Sequence, residues 1–210
     1  NREIKIEMKK GEQKMKKKWT ILLASAVLAA SLLTGCGNSN RNSDEAGPEG
    51  SQDTSGMVHL EGADEVSAFI DEVYQGVGED LLPYEVTTTE LDLNDKDMIA
   101  YHTGLEDLSG IEGIYLSESM MTSTAYSAVY IRTNDEADAE AVRKQLMDKI
   151  NPAKWICVTA EKQIAVTVGK DVFLVMGFPE TADAVYTNVK KAAESRNMTV
   201  SDAIEKTNSI

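Results

Sequence analysis

Along the chain, apolar positions change period several times, and each change marks an expected element. Val66, Phe69, Ile70, Val73, Tyr74 and Val77 recur at three- and four-residue spacing, which predicts an amphipathic helix starting near Asp64 and closed by Gly76 and Gly78. Residues 83–92 read as extended or irregular. Asn94 is a suitable N-cap for a short helix holding Met98, Ile99 and Tyr101, with Gly104 as its stop. Residues 111–119 and 124–133 are rich in Ile, Tyr and Val and predict a hairpin. In its second strand Tyr126, Ala128 and Tyr130 fall on one face, and Ala125, Ser127, Val129 and Ile131 on the other.

Thr133-Asn134-Asp135-Glu136 has the spacing of a capping box, and the helix behind it carries Ala139, Val142, Leu146 and Ile150 on one stripe, with Pro152 past its end. Residues 156–159 predict a short strand. Ile164, Val166 and Val168 alternate, and Gly169-Lys170 turns the chain into a partner strand over 172–178. Pro179 opens a last helix with Ala182, Val185, Val189 and Ala192 on one side. From Ser195 the chain is polar, and residues 196–210 are expected to be a loosely held tail. The resulting expectation is an α+β domain over 64–195. It has a β-β-α-β-β-α core, an antiparallel sheet of about four strands with helices on one face, and two helices in front.

Before this domain the pattern is of another kind. Lys16, Lys17 and Lys18 precede an apolar run from Trp19 to Leu33, and Leu33-Thr34-Gly35-Cys36 follows. A basic patch, a short apolar stretch and small residues before a cysteine form a bacterial lipoprotein signal over 1–35. Cleavage is expected between Gly35 and Cys36, leaving Cys36 as an acylated N-terminus that carries palmitate-like chains. The apolar run of about 15 residues is short of the roughly 20 that a spanning helix needs, which disfavours an uncleaved anchor. An ordinary secretory signal favours a small-x-small site, which fits less well than the lipobox. Two or more acyl chains would hold stably, where one alone is marginal. Met8 and Met15 both precede the signal, and Lys9-Lys10-Gly11-Glu12-Gln13-Lys14 fits a purine-rich ribosome-binding run, so translation is expected from Met15 with 1–14 not made. Residues 36–63 are expected to be the lipidated cysteine and a linker. Its stretch 37–56 is built mainly from Gly, Asn, Ser, Asp and Glu, with Ala46 its only small apolar residue, and cannot bury enough apolar surface to fold. As a coil it spans roughly 25 Å.

Charge sharpens this picture. The full chain carries 21 Lys and Arg against 35 Asp and Glu, a formal net charge of −14. Without residues 1–35, which hold 8 of those bases and 3 of those acids, the balance is 13 against 32, or −19. Such an excess repels phosphate backbones, so nucleic acid is not an expected partner. With Cys36 acylated, Cys157 is left alone, and no intramolecular disulfide can form.

Tyr101-His102-Thr103-Gly104-Leu105, the run Thr133-Asn134-Asp135-Glu136-Ala137-Asp138-Ala139-Glu140-Ala141-Val142, and Gly169-Lys170-Asp171-Val172-Phe173-Leu174-Val175 resemble segments of a family of small lipoproteins from Gram-positive, clostridia-type bacteria. That family is catalogued as a domain of unknown function. It has a longer segment between the central helix and the third strand, and Gly-Asn-Tyr where this chain has Gly169-Lys170-Asp171. The resemblance implies a fold and an extracytoplasmic location and brings no activity.

Groups able to do chemistry are few. His59 lies at the linker, His102 near the end of a short helix, and neither has a metal-ligand spacing. Cys157 sits in Trp155-Ile156-Cys157-Val158, where a free cysteine usually packs as a small buried hydrophobe, with a Cys157–His102 nucleophile pair as the alternative. The stretch Asp92-Leu93-Asn94-Asp95-Lys96-Asp97 lacks the glycine and twelfth-position glutamate of a calcium loop and reads as acids at a helix start. Met120-Met121 reads as a cover for the core edge or, alternatively, a sticky loop tip. Tyr115, Tyr126 and Tyr130 read as cross-strand packing or an exposed groove. No catalytic residue, metal or cofactor is expected. Two functions follow. The first is a membrane-anchored, non-enzymatic module on the outer face of the cell membrane that binds a protein, peptide or cell-wall component. The second is an extracellular enzyme using carboxylates such as Glu118 or Asp107.

Overall fold

A computed structural model describes residues 59–208 apart from Glu79 and Thr122. The signal over 1–35, the lipobox Leu33, Thr34, Gly35 and Cys36, and the linker stretch 37–56 lie outside the described residues. Ten elements follow in order: α1 (Ala63–Gln75), β1 (Val86–Glu90), α2 (Lys96–Thr103), β2 (Ile111–Ser119), β3 (Ser127–Thr133), α3 (Ala139–Lys149), β4 (Lys162–Val168), β5 (Asp171–Gly177), α4 (Pro179–Glu194) and β6 (Ile204–Thr207). The fold is α+β, with one antiparallel sheet in the order β1-β2-β3-β5-β4-β6. Because β5 is antiparallel to both neighbours, β3 and β4 run parallel with β5 inserted between them, and α3 makes the crossover.

The sheet has six strands where about four were expected. Both additions are edges. β1 is Val-Thr-Thr-Thr-Glu, with no apolar alternation to betray it; it holds β2 through backbone pairing and a 2.7 Å bond between Thr88 and Ser117 hydroxyls. β6 pairs Ile204 with Ala165 and Thr207 with Lys162. The expected loose tail over 196–210 is therefore corrected: Met198 is buried, Val200 bridges Val168, and Arg143 Nη1 donates to Ser201 Oγ and the Asp202 carbonyl.

Helices cover both faces of the sheet rather than one. Phe69, Ile70 and Val73 of α1 and Val185 and Val189 of α4 pack with Tyr130, Val166 and Phe173. Ile99 of α2 and Leu146 and Met147 of α3 pack with Val129, Ile131 and Leu174 on the other side. Every residue of β5 is buried, as a strand between two helical layers requires. The face assignment in β3 and the two residues before it is as expected: Tyr126, Ala128 and Tyr130 go with α1 and α4, and Ala125, Val129 and Ile131 with α2 and α3.

Local details differ where side-chain bonds compete. Thr133 ends β3 instead of opening a capping box; Asn134 Oδ1 accepts from the Glu136 and Ala137 amides, and Asp138 is the N-cap of α3, accepting from Ala141 N. Asp95, not Asn94, caps α2. The strand expected over 156–159 is absent, because Cys157 takes a left-handed φ of 65° that breaks extended backbone. The ordered domain also reaches back to His59 and a buried Leu60, inside the segment expected to be linker. Two glycines permit close helix contacts. A Cβ on Gly76 would meet Asn188 Oδ1 at 2.4 Å, and one on Gly104, at φ 73°, would meet the Lys149 carbonyl at 2.5 Å. Among the described residues no helix is long and apolar enough to cross a membrane.

Candidate functional site

One end of the sheet collects the start of β1, the end of β2, the start of β3 and the end of β5. Here a cleft of about 350 Å³ opens between the turn after α1 and the start of α4, lined by Leu81, Leu82, Pro83, Tyr126, Phe178 and Thr181 among others. Thr181 Oγ1 donates to the Leu81 carbonyl at 2.8 Å, which pins the turn to α4. Pro179 at the first helical position presets its own φ, and Phe178 before it stays extended and 47% exposed. On the β1–β2 side, Met120 N donates to the Glu85 carbonyl and Ser119 Oγ to the Tyr84 carbonyl. These bonds bring the Met120-Met121 tip beside Tyr84. Leu81 and Phe178 of the lining are exposed, and so are Tyr84, next to Pro83, and Met120 and Met121, whose tip is joined to the lining by the bond from Thr124 N to the Met121 carbonyl. Scattered exposed hydrophobics need no explanation, but several around one concavity mark an interaction surface.

The other face of the same end holds a polar cluster. Lys154, whose side chain is 1% exposed, places Nζ 2.5 Å from Glu118 Oε1, 3.1 Å from Ser127 Oγ and 3.3 Å from His102 Nδ1. Burial raises the Glu118 carboxyl, but the His102 and Lys154 contacts together outweigh it and hold the group at about 2. Burial pulls the Lys154 ammonium below its ordinary value, opposed by the Glu118 charge. A serine beside a lysine suggests nucleophilic chemistry, but the geometry serves structure instead. A lysine against an ionised carboxylate keeps its proton and has no lone pair to act as base. Ser127 has no exposed surface through which to meet a substrate.

A third polar group ties down the start of the domain. Asp171 is fully buried and accepts from His59 Nδ1 (3.0 Å), Leu60 N (3.2 Å), Tyr130 Oη (2.8 Å) and Thr133 N (2.9 Å). Burial, then the Asp171 charge, pushes the Tyr130 phenol well above its ordinary value, so it remains a donor. His59 Nε2 faces Asp135 at 3.4 Å, and Lys170 binds the same carboxylate at 2.7 Å.

The remaining candidates are dispersed. Cys157 is exposed rather than buried, while His102 is committed to the Lys154 cluster. Asp107 lies in an exposed turn, where bonds from the Ser109 hydroxyl and amide lower its carboxyl. Asp92 accepts from Asn94 and shapes the turn before α2. Tyr115, Tyr126 and Tyr130 are buried, as packing residues are, with Tyr130 edge-on to Phe69 at 5.6 Å. Met120 and Met121 do not cover the core edge; they are exposed at the tip. Among the described residues no group of three or more His, Cys, Asp or Glu side chains is placed to hold a metal ion.

Sequence reasoning passed over Lys154, Asp171, Leu81 and Phe178. For Phe178 a signal existed: an aromatic residue directly before a helix-opening proline is held extended, away from the helix that would bury it. No family model matches this chain, and neither a curated protein nor a solved structure is similar to it at a significant level.

Proposed function

We propose that this protein is an acylated, extracytoplasmic lipoprotein whose folded domain binds a partner rather than transforming a substrate, as a member of the clostridia-type lipoprotein family its motifs resemble. The observation that carries the binding reading is the cleft at the sheet end, with exposed Leu81 and Phe178 in its lining, exposed Tyr84 following the lining residue Pro83, and the exposed Met120-Met121 tip joined to the lining residue Thr124 through the Met121 carbonyl. The lipobox at Leu33, Thr34, Gly35 and Cys36 supports the anchor and the location. The apolar contacts of such a cleft fit a protein or peptide segment or an apolar wall component.

The enzyme reading draws on one observation, that Asp80 and Glu180 both line the cleft. Both side chains are exposed. A carboxylic acid that donates a proton needs a dry apolar surround, as paired-carboxylate enzymes provide, so binding is the better supported reading. Neither Glu118 nor Asp107 lines the cleft; the first is paired with Lys154 and the second is in an outlying turn.

The test uses the full chain carrying [¹³C]methyl methionine. Titration with the neutral peptide acetyl-Leu-Phe-amide is expected to shift the Met120 and Met121 resonances and leave those of buried Met147 and Met176 in place. Phe178→Ala should weaken that binding about tenfold, or about 1.4 kcal/mol, the usual cost of truncating one aromatic anchor. No shift at either rim methionine with any peptide would refute the binding cleft.

A further inference from the structure

Resting on that binding reading, we infer that the cleft takes a cationic apolar peptide: a hydrophobic side chain enters between Leu81 and Phe178 while a neighbouring Lys or Arg meets Asp80 and Glu180. The charged residues lining the cleft are these two acids, and among the described residues no Lys or Arg lines it. Neither acid forms an ion pair among the described residues. The lysine across the sheet end is already committed: Lys162, paired with Gly177 in the β4–β5 register, binds Asp183 at 2.6 Å and Glu205 at 3.0 Å. Among the described residues, therefore, both carboxylates are without an ion-pair partner that an incoming cation would have to displace.

Size and surroundings fit a peptide. About 350 Å³ lies at the small end of ligand pockets and suits one or two side chains rather than a large cofactor. The flexible thioethers of Met120 and Met121 adapt to sequences of varied shape. The net charge of −14 steers cations toward the surface and keeps anionic ligands away.

The experiment compares acetyl-Lys-Leu-Phe-Lys-amide, acetyl-Gln-Leu-Phe-Gln-amide and acetyl-Glu-Leu-Phe-Glu-amide on the full chain, read through the Met120 and Met121 methyl resonances. At low salt the basic peptide should bind roughly 2- to 30-fold tighter than the neutral one, the range two exposed charge pairs provide. The acidic peptide should bind weakest, and the spread should shrink in about 0.5 M salt. Asp80→Asn with Glu180→Gln should abolish the basic-over-neutral preference, read as the ratio of the two affinities within the same variant; unchanged Met147 and Met176 resonances would show that the variant is folded. Equal affinities for all three peptides, or a preference that survives the double variant, would overturn the cationic assignment and leave the cleft standing. Absence of any shift with all three peptides would overturn both. A shift produced by zwitterionic lipid vesicles and by no peptide would assign the surface to a membrane instead.

Discussion

At the residue scale the sharpest consequence concerns Lys154. Glu118→Gln leaves an ammonium with almost no exposed surface beside a neutral amide, and the expected loss is about 3 kcal/mol near neutral pH. Lys154→Met should lose less, about 1 kcal/mol, because Glu118 is partly exposed and can rehydrate. The pH dependence has a definite sign. The folded-state carboxyl, at about 2, lies below its ordinary 4.5, so its stabilisation is complete above roughly pH 4.5 and fades as the pH falls toward 2. Urea melts of wild type and Glu118→Gln should therefore converge on acidification; a gap that ignores pH would sink the ion-pair account. Glycines give a second contrast. Gly104→Ala combines left-handed strain with a contact at 2.5 Å on the Lys149 carbonyl and should cost more than about 2 kcal/mol. Gly62→Ala, at φ 99° and ψ −175° with nothing within 4 Å of the added Cβ, should cost about 2 kcal/mol, strain alone. Thermal melts of the two variants would check the ranking.

At the element scale, edges and caps decide the outcome. Removing residues 199–210 deletes β6 and uncovers the backbone of β4. Three part-buried apolar side chains, Val200, Ala203 and Ile204, go with it, a loss of about 3 kcal/mol at roughly 1 kcal/mol each. A lower urea midpoint and concentration-dependent light scattering are expected, since an open edge pairs with other chains. A truncated protein as stable and monomeric as the parent would show that β6 contributes nothing. Hairpins and helices were legible here because their information is local: turn residues, period and cap lie within one stretch of sequence. β1 and β6 were not, because an edge strand is held by backbone pairing that leaves little mark on side-chain pattern. The cap of α3 was misplaced for a related reason. Thr133, Asn134 and Asp138 all offer a capping side chain, and Thr133 was taken instead by the sheet and by Asp171.

At the scale of the whole molecule, the proposed anchor makes a separable claim. Cys36→Ala should move the protein from the membrane to the soluble fraction and abolish labelling by a palmitate analogue, with the domain's melting temperature unchanged. Membrane partition unaltered by that substitution would refute acylation. The sequence by itself determined the antiparallel α+β character, the facing of β3 and the acid excess, because period, turn chemistry and charge are properties of neighbouring residues. Tertiary structure alone decided that helices cover both faces and that Asp171 gathers donors from two distant segments, residues 59–60 and β3. It also placed Lys154 next to Glu118 and His102, and brought Leu81 and Phe178, some hundred residues apart, to one cleft. Those juxtapositions depend on the strand order and on loops that meet at one sheet end, and no local pattern encodes which distant residues a fold will bring within a few ångströms.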